Sequence, residues 1–138
     1  GGNLSGTGGL SKNTGIGEWA SSRRTNMKSS IESKLNFFKT LEPDWDGYGA
    51  DPISDITIDN TRNLLAKLKG DWEIFPVNTG AIQVEKEKNE YYVEIEVYDD
   101  KFLYLLMKNG IGKDEKKFKL NEIDDLIKEI ELWLIITK

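Results

Sequence analysis

The chain has 138 residues, a hydrophobic fraction of 38% and a net charge of −5, which together predict one globular domain with its own core. It contains no cysteine and no histidine, so disulfides, thiolate nucleophiles, Ser-His-Asp triads and the commonest metal ligand are excluded. An acidic chain argues against a broad nucleic-acid surface, which needs a basic stripe. We expect a soluble, cytoplasmic, non-enzymatic protein with no cofactor that contacts neither nucleic acid nor membrane.

Residues 1–27 are rich in glycine, serine, threonine and asparagine and have few apolar anchors. Such a segment cannot bury enough apolar surface to offset the entropy lost on ordering. We therefore predict a flexible N-terminal tail over residues 1–27 and a single α+β domain over residues 28–138.

Two helices are predicted before any strand. The apolar residues within residues 29–41 recur at helical spacing, which predicts a first helix over this range that ends before Pro43. Ser54 is a good N-cap for a second helix, and Gly70 is expected to stop it. The predicted apolar face of the second helix comprises Ile58, Thr61, Leu65 and Leu68.

The loop between these helices concentrates turn-forming, aromatic and acidic residues, in the order Asp44, Trp45, Asp46, Gly47, Tyr48, Gly49, Ala50, Asp51 and Pro52. One interpretation is structural: the glycines allow positive φ, the rings pack, and the aspartates accept hydrogen bonds from backbone amides. The alternative is a small-ligand or metal site centred on Asp44, Asp46 and Asp51. The spacing departs from a calcium-binding EF-hand loop, which needs a third ligand before the glycine and a glutamate at position twelve.

The motif Trp45-Asp46-Gly47-Tyr48-Gly49-Ala50, followed by Pro52-Ile53-Ser54 and a helix, resembles a motif of a family of small bacterial proteins. In that family a strand of the form Gly-x-Ile-x-Leu-Glu-Trp comes later in the chain. Residues 80–86 correspond to this strand, with Lys86 in place of the terminal tryptophan. The resemblance covers about residues 36–98 and implies no activity, because none is established for the family.

Strands are predicted at residues 81–87, 91–98 and 102–107. The first two strands alternate apolar and polar residues, whereas the third is apolar on both faces, as expected of a covered strand. A turn at Lys88-Asn89 and the other short connections predict an antiparallel meander. Residues 116–120 are a candidate fourth strand, at an edge that lysines would protect.

A last helix is predicted to begin at Asn121, a good N-cap, and to end at Ile136. Its apolar residues extend nearly all the way round the C-terminal end, so either deep burial or a homodimer through Ile123–Ile136 would cover them. The predicted fold is α+β in the order α-α-β-β-β-(β)-α. Its antiparallel sheet has three to four strands, with helices packed on one face.

The predicted alternation gathers carboxylates and tyrosines on one face of the sheet. Its members are Gln83, Glu85, Glu87, Tyr92, Glu94, Glu96 and Tyr98, with Tyr104 as a further candidate. The simplest interpretation is an ordinary solvated face. A carboxylate-only enzyme, such as a glycosidase, would need one carboxyl desolvated in a cleft. The remaining interpretation is a surface that binds a basic protein, in which tyrosines supply contact area and carboxylates supply specificity.

We therefore predict a non-catalytic protein-binding domain with a basic protein as its partner. The candidate partner-binding residues are Glu85, Glu87, Tyr92, Glu94, Glu96 and Tyr98. By analogy, small acidic proteins of this kind act as inhibitors of a partner, as immunity proteins and antitoxins do. The alternative is a ligand or metal module at residues 44–51, and the third is the carboxylate-only enzyme.

Overall fold

A computed structural model describes residues 23–136 of the chain. The chain divides into two units, Gly1–Lys34 and Leu35–Lys138. Of the predicted tail, residues 1–22 lie outside the described residues, whereas residues 23–27 are helical.

Helix α1, Arg23–Phe38, begins and ends earlier than predicted. Its polar first turns carry no apolar periodicity, which is why the pattern placed the start later. At its C-terminal end, the backbone N–H groups of Thr40 and Leu41 bond to carbonyls three residues back, so the chain leaves the helix in tighter turns before Pro43.

Helix α2, Asp55–Lys67, begins as predicted, because the Ser54 side chain accepts a hydrogen bond from the Thr57 backbone N–H at 3.1 Å. In the last turn of the helix, the predicted apolar face was wrong by one residue. Leu64 is fully buried, whereas Leu65 is only partly buried. The helix therefore turns the face formed by Thr57, Ile58, Thr61 and Leu64 towards the core.

The sheet has five antiparallel strands in chain order, so the α+β class is confirmed but the predicted three to four strands undercount it. The strands are β1 (Glu73–Pro76), β2 (Ile82–Lys88), β3 (Tyr91–Val97), β4 (Lys101–Lys108) and β5 (Ile111–Lys119). Strand β1 pairs all four of its residues with β2 but is too short to show alternation. Strand β5 begins five residues before the predicted position 116, in a polar edge segment without alternation.

The predicted turn between β2 and β3 is displaced by one residue. Lys88 lies in β2, and the turn is formed by Asn89 and Glu90, with Asn89 at a φ of 58°. This turn pairs Lys88 with Tyr91 and so sets the register of both strands.

A 3₁₀ turn, Leu120–Glu122, joins β5 to helix α3, Ile123–Ile136. The predicted N-cap Asn121 is wrong, because Asn121 lies inside the 3₁₀ turn. The Glu122 carboxylate instead accepts a hydrogen bond from the Lys119 backbone N–H at 2.8 Å. The apolar side chains Leu126, Ile130 and Trp133 bury one face of α3.

Helices α2 and α3 pack on one face of the sheet, which forms the core. Alternate residues of the three central strands are buried there, and Lys116 of β5 donates to Glu129 of α3 across this face at 2.8 Å. Tyr104 is buried in this core, so its assignment to the acidic face was wrong. None of the helices in the described residues is long and apolar enough to cross a membrane.

Candidate functional site

The second face of the sheet, called here the outer face, consists of the strand residues that point away from α2 and α3. On β1, β2 and β3 its members are Glu73, Phe75, Gln83, Glu85, Glu87, Tyr92, Glu94 and Glu96, and Tyr98 follows directly after β3. Every candidate partner-binding residue therefore lies on one surface. Glu73 and Phe75 are additions, because β1 was not predicted.

Three glutamates face one another across neighbouring strands of this outer face. Glu73 lies directly opposite Glu85, and Glu85 lies directly opposite Glu94. Adjacent strands are about 4.8 Å apart, and like charges at opposed positions destabilise a sheet. Glu85 and Glu94 are also partly buried, which reduces the water available to screen them.

Tyr92 links two of these carboxylates. Its hydroxyl lies 2.8 Å from Glu94 Oε1 and 3.1 Å from Glu85 Oε1, and Gln83 Nε2 donates to the same Glu85 oxygen at 2.7 Å. Burial, the hydrogen bond to Glu94 and the charges of both glutamates raise the pKa of Tyr92 above its usual value near 10. The phenol therefore stays protonated and has one proton to share between two carboxylates.

The other members of the outer face extend this anionic surface along β3. The Tyr98 hydroxyl donates to Glu96 Oε1 at 3.0 Å, and Lys101 Nζ lies 4.5 Å from the centre of the Tyr98 ring. Glu87, opposite Tyr92, is exposed. The lysine over Tyr98 marks one end of the acidic surface.

Glu85 and Glu94 lie in similar surroundings. A carboxylate enzyme divides its two carboxyls between different environments, one desolvated and one polar. Here Glu85 and Glu94 accept from the same hydroxyl on an open sheet face. Two carboxylates held side by side present the acceptor pattern that a guanidinium or ammonium group matches.

In the loop at residues 44–51, the carboxylates of Asp44 and Asp46 bond to the loop's own backbone. Asp44 Oδ1 accepts from the Gly49 N–H at 2.6 Å, and Asp46 Oδ1 accepts from the N–H groups of Tyr48 and Ala50 at 2.8 and 3.1 Å. The backbone N–H of Asp44 also bonds to the Ala50 carbonyl at 2.8 Å. These bonds support the structural interpretation of Asp44 and Asp46.

The rest of this loop is anchored through Trp45 and Asp51. Trp45 Nε1 donates to the Asp51 carbonyl at 2.7 Å, and the Asp51 N–H donates to the Asn78 carbonyl at 2.9 Å. Tyr48, flanked by Gly47 and Gly49, is 91% exposed and so does not pack as its motif position suggested. In the part of the chain that the structure describes, no group of three or more acidic side chains is placed to hold a metal ion.

An apolar row on the outer face was missed by the sequence reasoning. Leu103, Leu105 and Met107 of β4 lie directly opposite Glu96, Glu94 and Tyr92 of β3 and are partly buried. The signal was present, since residues 102–107 are apolar on both faces, but it was interpreted as a covered strand. Helices α2 and α3 pack on the other face of the sheet, and this row lies beside the carboxylates.

Comparison with known proteins gives no functional assignment. No protein-family model matches the chain, and neither a curated protein nor a solved structure is found to be similar to it.

Proposed function

We propose that the protein is a non-catalytic binding domain whose outer face takes a basic surface of a partner protein. The observation that carries this proposal is the row of directly opposed glutamates, Glu73, Glu85 and Glu94. The outer-face positions of β1, β2 and β3, all within the described residues, contain no lysine or arginine. The fold thus concentrates negative charge at these positions, where Tyr92 and Gln83 donate hydrogen bonds but no side chain carries a positive charge.

The energetic argument favours an external cation. Each opposed pair of like charges costs the sheet roughly 0.2–1 kcal/mol. A lysine or arginine from a partner would replace this repulsion by charge-assisted hydrogen bonds to Glu85 and Glu94, which are stronger than neutral ones. Residues that disfavour the free fold but would favour a complex are expected at binding sites.

The proposed role is inhibition of the partner. Proteins that act on nucleic acid need basic surfaces to neutralise phosphates. An acidic sheet face that covers such a surface would compete with the substrate, which is the logic of an immunity protein or an antitoxin.

The test compares Glu85→Gln/Glu94→Gln with a control, Glu42→Gln/Glu131→Gln, which removes the same charge from positions outside the outer face. The first measurement is urea unfolding. The outer-face variant relieves the repulsion between the opposed glutamates, and the weaker hydrogen bonds from Tyr92 to neutral glutamines offset part of that gain. A net gain of about 0.5 kcal/mol is expected, while the control should change little. The second is capture of partners from a lysate of the native host by each immobilised protein. A basic protein should be captured by the wild type and the control and lost by the outer-face variant.

Two results would overturn the proposal. If the outer-face variant captures the same partner as the wild type, the outer face is not the contact surface. If the outer-face variant unfolds at lower urea than the wild type, Glu85 and Glu94 stabilise the free fold, and the argument from uncompensated repulsion fails.

A further inference from the structure

We infer that the partner binds as a basic amphipathic helix laid along strand β4. Its apolar side chains would contact the row Leu103, Leu105 and Met107, and its lysines or arginines would lie over Glu94 and Glu96. This inference rests on the proposed function, and it adds the shape, polarity and orientation of the bound element.

The register places an apolar row and an acidic row side by side. Leu103 is opposite Glu96, and Leu105 is opposite Glu94. Within a strand, side chains on one face recur about every 6.7 Å, and neighbouring strands are about 4.8 Å apart. An element that binds here therefore needs apolar groups about 6.7 Å apart and cationic groups on one flank.

An α-helix meets this requirement. Residues four apart in a helix rise by about 6 Å on one face, so apolar residues at i, i+4 and i+8 match the row on β4. A helix is about 10 Å wide, so its flank reaches β3, and long lysine or arginine side chains reach Glu85 on β2. A strand could not be added here, because β4 is paired with β3 on one side and with β5 on the other.

The flank on the β5 side sets the orientation of the helix. There Lys117 is opposite Leu103 and Glu115 is opposite Leu105, so this flank carries one charge of each sign. The β3 flank carries only carboxylates and a tyrosine, Glu96, Glu94 and Tyr92. The cationic side of the bound helix should therefore face β3.

A second copy of this chain fits the outer face less well. Two outer faces packed about an axis parallel to β4 would bring Glu96 of each copy towards Lys117 of the other. Because β5 is the last strand of the sheet, three outer-face glutamates of β1 and β2 would lie beyond the edge of the other copy and meet no cation from its sheet: Glu73, Glu85 and Glu87. A basic helix compensates more of the surface charge than a homodimer does.

The test uses a synthetic helical peptide of about 18 residues with leucines at i, i+4 and i+8 and lysines along one flank. A scrambled peptide of the same composition is its control. Titration of each peptide into the full chain, monitored by calorimetry, should show at least about tenfold tighter binding of the amphipathic peptide. Backbone amide shifts of the isotope-labelled protein should move on β3 and β4 and not on α3.

Two variants locate the contact. Leu105→Gln should weaken binding of the amphipathic peptide about tenfold, because a partly buried apolar contact is lost. Leu132→Gln, which changes a leucine that is 60% exposed on α3, should leave binding unchanged. Thermal unfolding of both variants checks the fold, and Leu103→Gln replaces Leu105→Gln if the latter unfolds.

The outcomes separate this inference from the proposed function. If both peptides bind equally, and if binding depends on Glu85 and Glu94 but not on Leu105, the inference of a bound helix is wrong. The proposal that the outer face binds a basic partner would then still stand. Binding that depends on none of these residues would overturn both. A dimer in sedimentation that Leu105→Gln dissociates would show a second copy on the outer face and would also overturn the inference.

Discussion

Replacing Asp46 by alanine should destabilise the protein, because the Asp46 carboxylate holds two backbone amides of the loop at residues 44–51. Its Oδ1 accepts from the Tyr48 N–H at 2.8 Å and from the Ala50 N–H at 3.1 Å. Each hydrogen bond to a charged group contributes about 1.5–3 kcal/mol, so the two together contribute about 3–6 kcal/mol. Because Asp46 is partly exposed, screening by water reduces this value. We therefore expect Asp46→Ala to lower the free energy of unfolding by about 2–3 kcal/mol.

Urea unfolding of three variants measures this effect. Asp46→Asn keeps an oxygen acceptor and loses the charge, so it should cost about half as much. Asp51→Ala is the matched control, since Asp51 holds the loop through its backbone N–H and carbonyl and its side chain is exposed. We expect Asp51→Ala to change the unfolding free energy by less than about 0.5 kcal/mol.

The structural interpretation of the loop would be refuted by either of two results. One is a loss of stability on Asp51→Ala as large as that on Asp46→Ala. The other is a rise in the melting temperature of the wild type with Ca²⁺ that Asp51→Ala abolishes, which would make the loop a ligand site.

Two further predictions concern a buried tyrosine and two glycines. Burial and nearby carboxylates raise the pKa of Tyr104, so only the unfolded state loses its phenol proton above about pH 10, and stability should fall there by up to about 1.4 kcal/mol per pH unit. Tyr104→Phe should remove this part of the slope in urea unfolding between about pH 8 and pH 11; an unchanged slope would contradict it. Gly70→Ala should cost about 2 kcal/mol, because Gly70 has a φ of +83° and an added Cβ would lie 2.9 Å from Lys86 Nζ, which donates to the Asp71 carbonyl at 2.6 Å and would have to shift. Gly47→Ala, at a φ of +79° with no atom within 4 Å, should cost about 1 kcal/mol. Equal drops in melting temperature would show that Lys86 moves aside without cost.

The elements that could be predicted are those with a local signal. Strands β2 and β3 show a period of two, and Ser54 marks the start of α2 with a cap that acts within one turn. Strand β1 has four residues and ends in Pro76, so its extended form depends on pairing with β2. Strand β5 is polar on both sides because it lies at an edge, and a polar edge carries no alternation to detect.

The sequence predicts which residues belong to the candidate site, but it does not predict which of them lie opposite one another. Alternation alone placed Glu85 and Glu94 on one face, and the sheet confirms this. Their direct opposition depends on the turn. A turn at Lys88-Asn89 would have placed Tyr92 opposite Glu85, whereas the turn at Asn89 and Glu90 places Glu94 there. One residue in a hairpin therefore decides whether the site contains a tyrosine–glutamate pair or a pair of like charges.

The order of strands in the sheet has a consequence for how the chain folds. Each strand pairs with the next one in sequence, and the connections between β2 and β3 and between β4 and β5 are two-residue turns. Closing such short loops costs little chain entropy, and isolated hairpins form within microseconds. The sheet can therefore assemble hairpin by hairpin without a distant segment having to arrive first. The slow step should be the docking of α2 and α3 on the sheet, because both helices must pack against the completed meander before water is excluded from the core.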